Sequence, residues 1–282
     1  MILVTGASGN VGGEVVKQLA ARNQPVRALV RDPARAAFPN GVQSVAGDLN
    51  QPASLAAALT GVRGVFLLGG YRDMPQLLAE IARAGVERVV LLSSRSVELG
   101  DASNAIVKMW LDSEAVVRAS GMAWTLLRPS GFASNALRWL PQLRAGNQVR
   151  VPFANAAIAS IDPADIAAVA TLALTESGHA ARSYSLSGPE AQLPEQQVQI
   201  LAQVLGRDLH FEAQPDDEAL AELEKSAPPG FAEAFRRFFV LGEFDDALVV
   251  PTVRELSGSP ARTFEQWARA HAREFQAIGE QS

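Results

Sequence analysis

The stretch VTGASGNVG, residues 4–12, holds the clearest chemical pattern in the chain. Gly6, Gly9 and Gly12 recur at GxxGxxG spacing, between the apolar strand MILVT and an amphipathic run that opens at Val11. In a strand–turn–helix context each glycine has a task. Gly6 permits the tight turn, Gly9 lets the main chain approach a pyrophosphate, and Gly12 packs the helix onto the sheet. The helix N-terminus then offers free N–H groups and partial positive charge to the phosphates. The second apolar strand ends LVRDP, so the residue after it is Arg31. An acid there would accept hydrogen bonds from ribose hydroxyls. A guanidinium suits a ribose 2′-phosphate instead, and Arg35, four residues on, can share its face. Asp32 is an adjacent acid, but the charge logic favours NADP(H) over NAD(H).

Other strand ends extend this reading. Asp48 and Leu49 follow the third strand, where an adenine would meet the sheet edge; Asp48 would accept from its amino group or serve as a loop cap. Leu68 and Gly69 end the fourth strand, where small residues leave room for the nicotinamide half. Ser93 and Ser94 end the fifth, and would bond a ribose or a substrate carbonyl, or cap the next element. Lys108 stands at the start of an amphipathic helix, with Asn104 four residues before it. Such a lysine can hold ribose hydroxyls, or relay a proton if burial lowers its pKa; as a bland alternative it is a solvated helix-start charge.

These residues must be placed by the elements around them. Strands and helices alternate from Met1 to Pro129, and the strands are near-continuous apolar runs such as GVFLLGG and ERVVLLSS. That pattern predicts a doubly wound α/β fold with a parallel Rossmann sheet. Residues 1–150 are expected to form the dinucleotide-binding core, with a substrate-binding region, 151–282, interleaved with it. Within that region DDEALAELEKS and FAEAFRRFFVL flank APPG, and a helical hairpin over 216–245 is expected to act as a lid.

Composition excludes several alternatives. The chain has 282 residues, 48% of them hydrophobic, and a net charge of −5, which argues against nucleic-acid binding. It has no cysteine, so thiolate and iron–sulfur chemistry are absent. Its three histidines lack metal-ligand spacing, and no metal is expected. No export signal and no membrane-spanning run is visible, so a cytoplasmic monomer or homodimer is the expectation.

The whole resembles an atypical short-chain dehydrogenase/reductase of the NmrA-like and triphenylmethane-reductase-like branch. The resemblance rests on TGASGNVG, ALVRDP, GDLNQPASLAAALTGV, VVLLSS, SEAVVRASGMAWTLLRPSGFASN and VRELSGSPARTFEQWA, in that order; residues 215–250 match least well. It implies NADP(H) bound by Gly6, Ser8, Gly9, Asn10, Val11 and Arg31, with Pro129 and Phe132 flanking the nicotinamide and Asn135 facing the cleft. It also implies a Tyr-x-x-x-Lys pair and a serine at the catalytic centre, and here the chain departs. Only Tyr71 and Tyr184 exist, neither at that spacing, and aligning on Lys108 puts Asn104 at the tyrosine position. Shifted registers put Arg95 at the serine position or Trp110 at the lysine position.

Asparagine can polarise a carbonyl but gives no proton. Protonation then falls to a relay, to Lys108, or to the substrate itself. Conjugated, electron-poor acceptors need an acid least, and Trp110, Phe132, Phe235 and Phe239 would stack such rings, if they are not ordinary core. The reading is an NADPH-dependent reductase of a small aromatic or conjugated ketone or quinone, with Ser94, Arg95, Trp110, Asn135, Phe235 and Phe239 toward the substrate. Ketoreductases of aromatic polyketide pathways, the angucyclinone type among them, are one subgroup that fits. The rival readings are a non-catalytic NADP(H)-binding redox sensor of the NmrA type, and an isomerase or ether reductase using the same cleft.

Overall fold

A computed structural model describes residues 1–276. The last six residues of the expected substrate region, 277–282, lie outside the described residues. The strands run β1 (Ile2–Val4), β2 (Val26–Val30), β3 (Gln43–Ala46), β4 (Gly64–Leu68), β5 (Arg88–Leu92), β6 (Ala123–Pro129), β7 (Gln148–Val151), β8 (Arg182–Leu186) and β9 (His210–Ala213). The main sheet has the order β3-β2-β1-β4-β5-β6-β8, and every pairing in it is parallel, as expected. From β1 the chain builds outward to β3, then returns to place β4 on the other side of β1. That reversal opens a crevice at the carboxyl ends of β1 and β4, where ligands bind in sheets of this kind.

The central strands are buried on both faces, which is why they read as unbroken apolar runs. Helices Asn10–Ala21 and Pro163–Thr175 cover one face through Val15, Leu19, Ile166 and Val169. Helices Ala56–Leu59, Met74–Arg83 and Ala105–Ala119 cover the other through Leu59, Leu77, Ile81 and Val117. Short polar side chains start several of these helices. Asp73 accepts from the Gln76 N–H and Asp162 from the Ala164 N–H, and each precedes a proline in the first turn.

Beyond β6 the chain leaves the sheet and comes back. β7 and β9 pair in parallel as a separate ribbon, and β8 returns to the edge of the main sheet. A third apolar cluster, built on Trp139, Leu201, Phe264 and Trp267, fixes that ribbon to the C-terminal helices. β7 is not foreshadowed by patterning, because it is four residues long and contains Arg150. Helices Asp216–Ser226 and Phe231–Phe235 flank Ala227–Gly230, and the second continues as a π-helical turn, Arg236–Val240. Arg237 ties this hairpin down, with ion pairs of 2.6 Å to Asp101 and 2.6 Å to Glu243. Among the described residues no helix is long and apolar enough to cross a membrane.

Candidate active site

Two cavities open along the carboxyl edge of the sheet. The first, of about 410 Å³, lies beside the glycine-rich turn and is lined by Gly6, Ser8, Gly9, Arg31, Asp48, Leu49, Leu68 and Tyr71, among others. Its floor is specified by missing side chains. Gly6 has a φ of +60°, and a Cβ there would meet Leu68 Cδ1 at 2.5 Å. A Cβ on Gly12 would sit 2.2 Å from the Gly6 carbonyl oxygen. Helix Asn10–Ala21 starts without a side-chain cap and has no acid in its first turn, so its leading N–H groups are available to an anion. Arg31 is exposed at the end of β2. These residues fit an NADP(H) whose pyrophosphate rests on the helix start and whose 2′-phosphate meets Arg31.

Around this cavity the expected contacts fall into three groups. Gly6, Ser8, Gly9, Arg31, Asp48, Leu49 and Leu68 share one wall. Asn10 and Arg35 face a neighbouring groove that also contains Ser8 and Gly9. Val11 sends its side chain into the core, leaving only its main chain toward the turn. Gly69 departs from expectation: a Cβ on it would meet Trp110 Cζ3 at 2.8 Å and Ser113 Cβ at 3.3 Å. Its missing side chain makes room for helix Ala105–Ala119, not for the nicotinamide. Tyr71 is a wall residue that the sequence does not mark, although it directly follows Gly69 and Gly70 beyond the end of β4. Burial raises its pKa, as does Asp48, while Arg31 opposes them.

The second cavity, of about 300 Å³, is largely apolar and sits past the ends of β5 and β6. Ser93, Ser94, Trp110, Pro129, Phe132 and Asn135 line it from the Rossmann side. The π-helical turn and the residues around it supply Phe235, Phe238, Phe239 and Phe244, with Phe235 and Phe239 ring centroids 5.6 Å apart. Asp246 also lies in this wall. A further cavity of about 350 Å³ adjoins it through Asn135 and Phe239.

A model of NAD(P)H-binding proteins matches residues 6–177. The chain is 44% identical to the (4-alkanoyl-5-oxo-2,5-dihydrofuran-3-yl)methyl phosphate reductase of Streptomyces griseus, over 98% of this chain and 99% of that protein. This chain belongs to the NAD(P)H-binding family. It is also 36% identical to the NAD(P)H azoreductase of Xenophilus azovorans, over 98% of this chain and all of the relative (100%). The NADPH complex of an Escherichia coli NADPH-dependent quinone oxidoreductase superposes with a TM-score of 0.74, at 25% identity, covering 96% of this chain and 99% of that one. Like its relatives, this family member is an NADP(H)-dependent oxidoreductase with an NmrA-like, triphenylmethane-reductase-like fold.

Within the family member's catalytic region, three expected contacts are used otherwise. Lys108 is exposed and pairs with Asp112 at 2.6 Å, outside both cavities. Helix geometry gives the reason. Ile106 and Trp110, one turn apart, face the second cavity, and a residue midway between them is rotated by about 200° to the opposite side. Asn104 is the N-cap of the same helix. It is 2% exposed, and its side-chain oxygen accepts from the Ile106 and Val107 N–H groups at 3.0 and 3.2 Å. That carboxamide satisfies helix-start donors, so it is not placed to polarise a substrate. Arg95 is buried under Phe244, with its guanidinium donating to the carbonyls of Asp245 and Leu248. It anchors the segment after the lid and does not contact the cavity.

The serines are partly engaged. Ser94 caps the short helix Arg95–Leu99, accepting from the Ser96 N–H at 3.2 Å. Ser93 donates to Glu114 at 2.8 Å. Glu114, 2% exposed, also takes two bonds from Arg128, of 2.9 and 2.6 Å, and one from Arg118. Burial works to raise the Glu114 pKa, but Arg128, Ser93 and Arg118 outweigh it and hold the carboxylate below its usual range. This buried hub joins β5, β6 and helix Ala105–Ala119 behind the second cavity.

Proposed function

We propose that this oxidoreductase reduces a small, flat, electron-poor conjugated acceptor, such as a quinone, an unsaturated lactone or an aromatic ketone, in the second cavity. The observation that carries the reading is that cavity itself: an apolar slot walled by Trp110, Phe132, Phe235 and Phe239, adjoining the turn that follows β6. Relatives support it, since an azo group, a quinone and an unsaturated oxo-dihydrofuran are all conjugated and accept hydride readily. When bound, the reduced nicotinamide supplies the hydride. The chain's residues do the rest. Gly6, Ser8, Gly9, Asn10, Val11 and Arg31 hold the dinucleotide, with Asp48, Leu49 and Leu68 at the adenine side. Pro129 and Phe132 orient its far end, Trp110, Phe235 and Phe239 stack the acceptor, and Ser94 and Asn135 are two of the polar groups in the cavity wall.

A screen of NADPH oxidation against naphthoquinones, azo dyes, butenolides and aromatic polyketide ketones tests the reading. Tight NADPH binding with no turnover on any of them would move the assignment to the redox sensor. Cofactor choice gives a sharper check. Arg31→Glu should cost NADPH roughly 100-fold in affinity while NADH changes little, because about 3 kcal/mol is at stake when a charge-assisted phosphate pair becomes a repulsion. Parallel fluorescence titrations with the two dinucleotides measure this, and an equal loss for both would place the 2′-phosphate elsewhere.

The substrate-binding region is assigned within 151–282, interleaved with the core through helix Pro163–Thr175 and β8, with 216–245 as the lid. Phe235, Phe238, Phe239 and Phe244 are the parts of the lid that line the cavity. Ligand in the cavity would add contacts to them and slow local opening. Limited proteolysis should therefore cut this segment several-fold more slowly with NADPH and menadione present; equal rates would remove the lid assignment.

A further inference from the structure

The third cavity, of about 350 Å³, has no part in the roles above. It meets the aromatic cavity at Asn135 and Phe239, which line both. A tight helix, Ala133–Trp139, leads from one to the other. Such a helix completes a turn about every three residues, so Asn135 and Arg138 fall on the same face. Asn135 stands where the cavities join, and Arg138 lines the third beyond it.

The polar groups of this wall are unequally engaged. Arg150 is fully used, with bonds to Glu212 at 3.1 Å and to Glu218 at 2.6 Å. Gln142 holds the Arg150 main chain through both its N–H and its carbonyl. Arg138 is exposed, and its guanidinium has neither an ion pair nor a hydrogen bond among the described residues. Gln214 is only 9% exposed; its carboxamide is also without a partner among the described residues, yet is not closed to solvent. The exposed Asn135 carboxamide is free as well. Three side chains with unused N–H donors thus open on one space, and one of them carries a full charge. Glu222, on the lid helix Asp216–Ser226, is an acid in the same wall and opposes an anion there.

The partition between the cavities is aromatic. Phe153 lines the third cavity, and its ring centroid lies 5.2 Å from Phe239 and 6.1 Å from Phe235. Its φ is +56°, a left-handed backbone that bulky side chains disfavour. Such a conformation persists only where the surroundings hold it, and it is commonest beside ligand sites. Here it sets a ring against the lid at the passage between the two spaces.

We propose that the third cavity is the second half of the substrate site, and that Arg138 binds an oxyanion there, a phosphate or a carboxylate, joined to the conjugated ring by a short chain. The idea rests on the reductase reading of the aromatic cavity and adds a substrate class and a specificity residue. The ring stacks in the aromatic cavity, the chain passes Asn135 and Phe239, and the guanidinium meets two oxygens at once. Asn135 and Gln214 donate to the chain and to the remaining oxygens.

The probes are 2-methyl-1,4-naphthoquinones with a chain of two, four or six carbons beside the methyl group, ending in a phosphate, a carboxylate or a hydroxyl. Their binding to the NADP+-loaded protein is read by tryptophan fluorescence, since Trp110 lines one cavity and Trp139 the other. At the best chain length an oxyanion probe should bind roughly 10- to 100-fold tighter than its hydroxyl counterpart, as a charge-assisted bond allows. That ratio should fall close to one in Arg138→Gln, and Arg138→Lys should restore part of it, because lysine keeps the charge without the fork. Arg144→Gln removes an exposed arginine outside this cavity and should keep the wild-type ratio. Glu222→Gln should raise oxyanion affinity a few-fold. A wild-type ratio near one at every chain length overturns the proposal. So does an equal loss for hydroxyl and oxyanion probes in Arg138→Gln, which would make Arg138 a latch to Glu222. Turnover with NADPH is measured separately: if no probe is reduced while the binding ratio holds, the reductase reading fails and the oxyanion contact stands.

Discussion

Gly12→Ala should give a protein that no longer binds NADPH measurably and melts well below the wild type. The added Cβ would lie 2.2 Å from the Gly6 oxygen, 2.6 Å from the Gly6 carbonyl carbon and 2.9 Å from the Thr5 oxygen. All three are main-chain atoms, so no side chain can rotate away. Either the helix start or the turn must shift, and each holds part of the phosphate cradle. Overpacking a tight site costs about 1–3 kcal/mol and sometimes more, and the same shift displaces the donors that meet the pyrophosphate. Gly13→Ala, one residue on, is the control. Its Cβ would make an ordinary 3.4 Å contact with the Ala7 oxygen, and replacing a helical glycine stabilises by roughly 0.4–1 kcal/mol. Thermal melts and NADPH titrations of the two variants should therefore move apart. Similar behaviour would mean that the turn is looser than its geometry indicates.

Glu114→Ala should be the most damaging change behind the second cavity. It removes the acid that bonds both Arg128 and Ser93, leaving a guanidinium whose side chain is 19% exposed without its bidentate partner. Breaking a buried pair by removing one member costs about 3–5 kcal/mol, because the other charge stays desolvated. For a chain of this size that corresponds to a fall of roughly 6–20 °C in Tm. Urea unfolding of Glu114→Ala and the isosteric Glu114→Gln measures it, with the glutamine expected to retain part of the stability through hydrogen bonding. A loss below about 1 kcal/mol for the alanine variant would show the hub to be solvated. The same substitution frees the Ser93 hydroxyl at the cavity wall, so it should alter acceptor KM even at temperatures where the protein stays folded.

The two predictions differ in how visible their residues are in the sequence. Gly12 could be identified at once, because turn, helix start and phosphate approach are made by residues that are neighbours along the chain. Arg31 was legible for the same reason: a strand fixes where its last residue emerges. The parallel sheet followed from strands that stay apolar on both faces, a consequence of burial from both sides. Glu114 gave no comparable signal, since its partners come from other elements, Ser93 from the end of β5 and Arg128 from β6.

The catalytic helix shows where local spacing stops helping. Four residues separate Asn104 from Lys108, and that interval invited a comparison with Tyr-x-x-x-Lys. Spacing gives the separation along a helix but not which side faces the cavity. Packing decided that: Trp110 fills the space left by Gly69, and Ile106 turns the same way, so Lys108 points to solvent beside Asp112. Arg95 was placed in the cavity by register alone, and the carbonyls of a segment some 150 positions later claimed it. Asp246 lies 115 positions from the Gly131 N–H it accepts from, and nothing local marks it among the neighbouring acids.

The sequence by itself determined the fold class, the glycine-rich strand–turn–helix at its start and NADP(H) as the cofactor, because each depends on short-range geometry and on burial periodicity. Tertiary structure alone decided which polar groups reach the second cavity. Helix azimuth, the return of the chain after β8 and the burial of a lone carboxyl are products of packing between distant segments, and no short window of residues contains them.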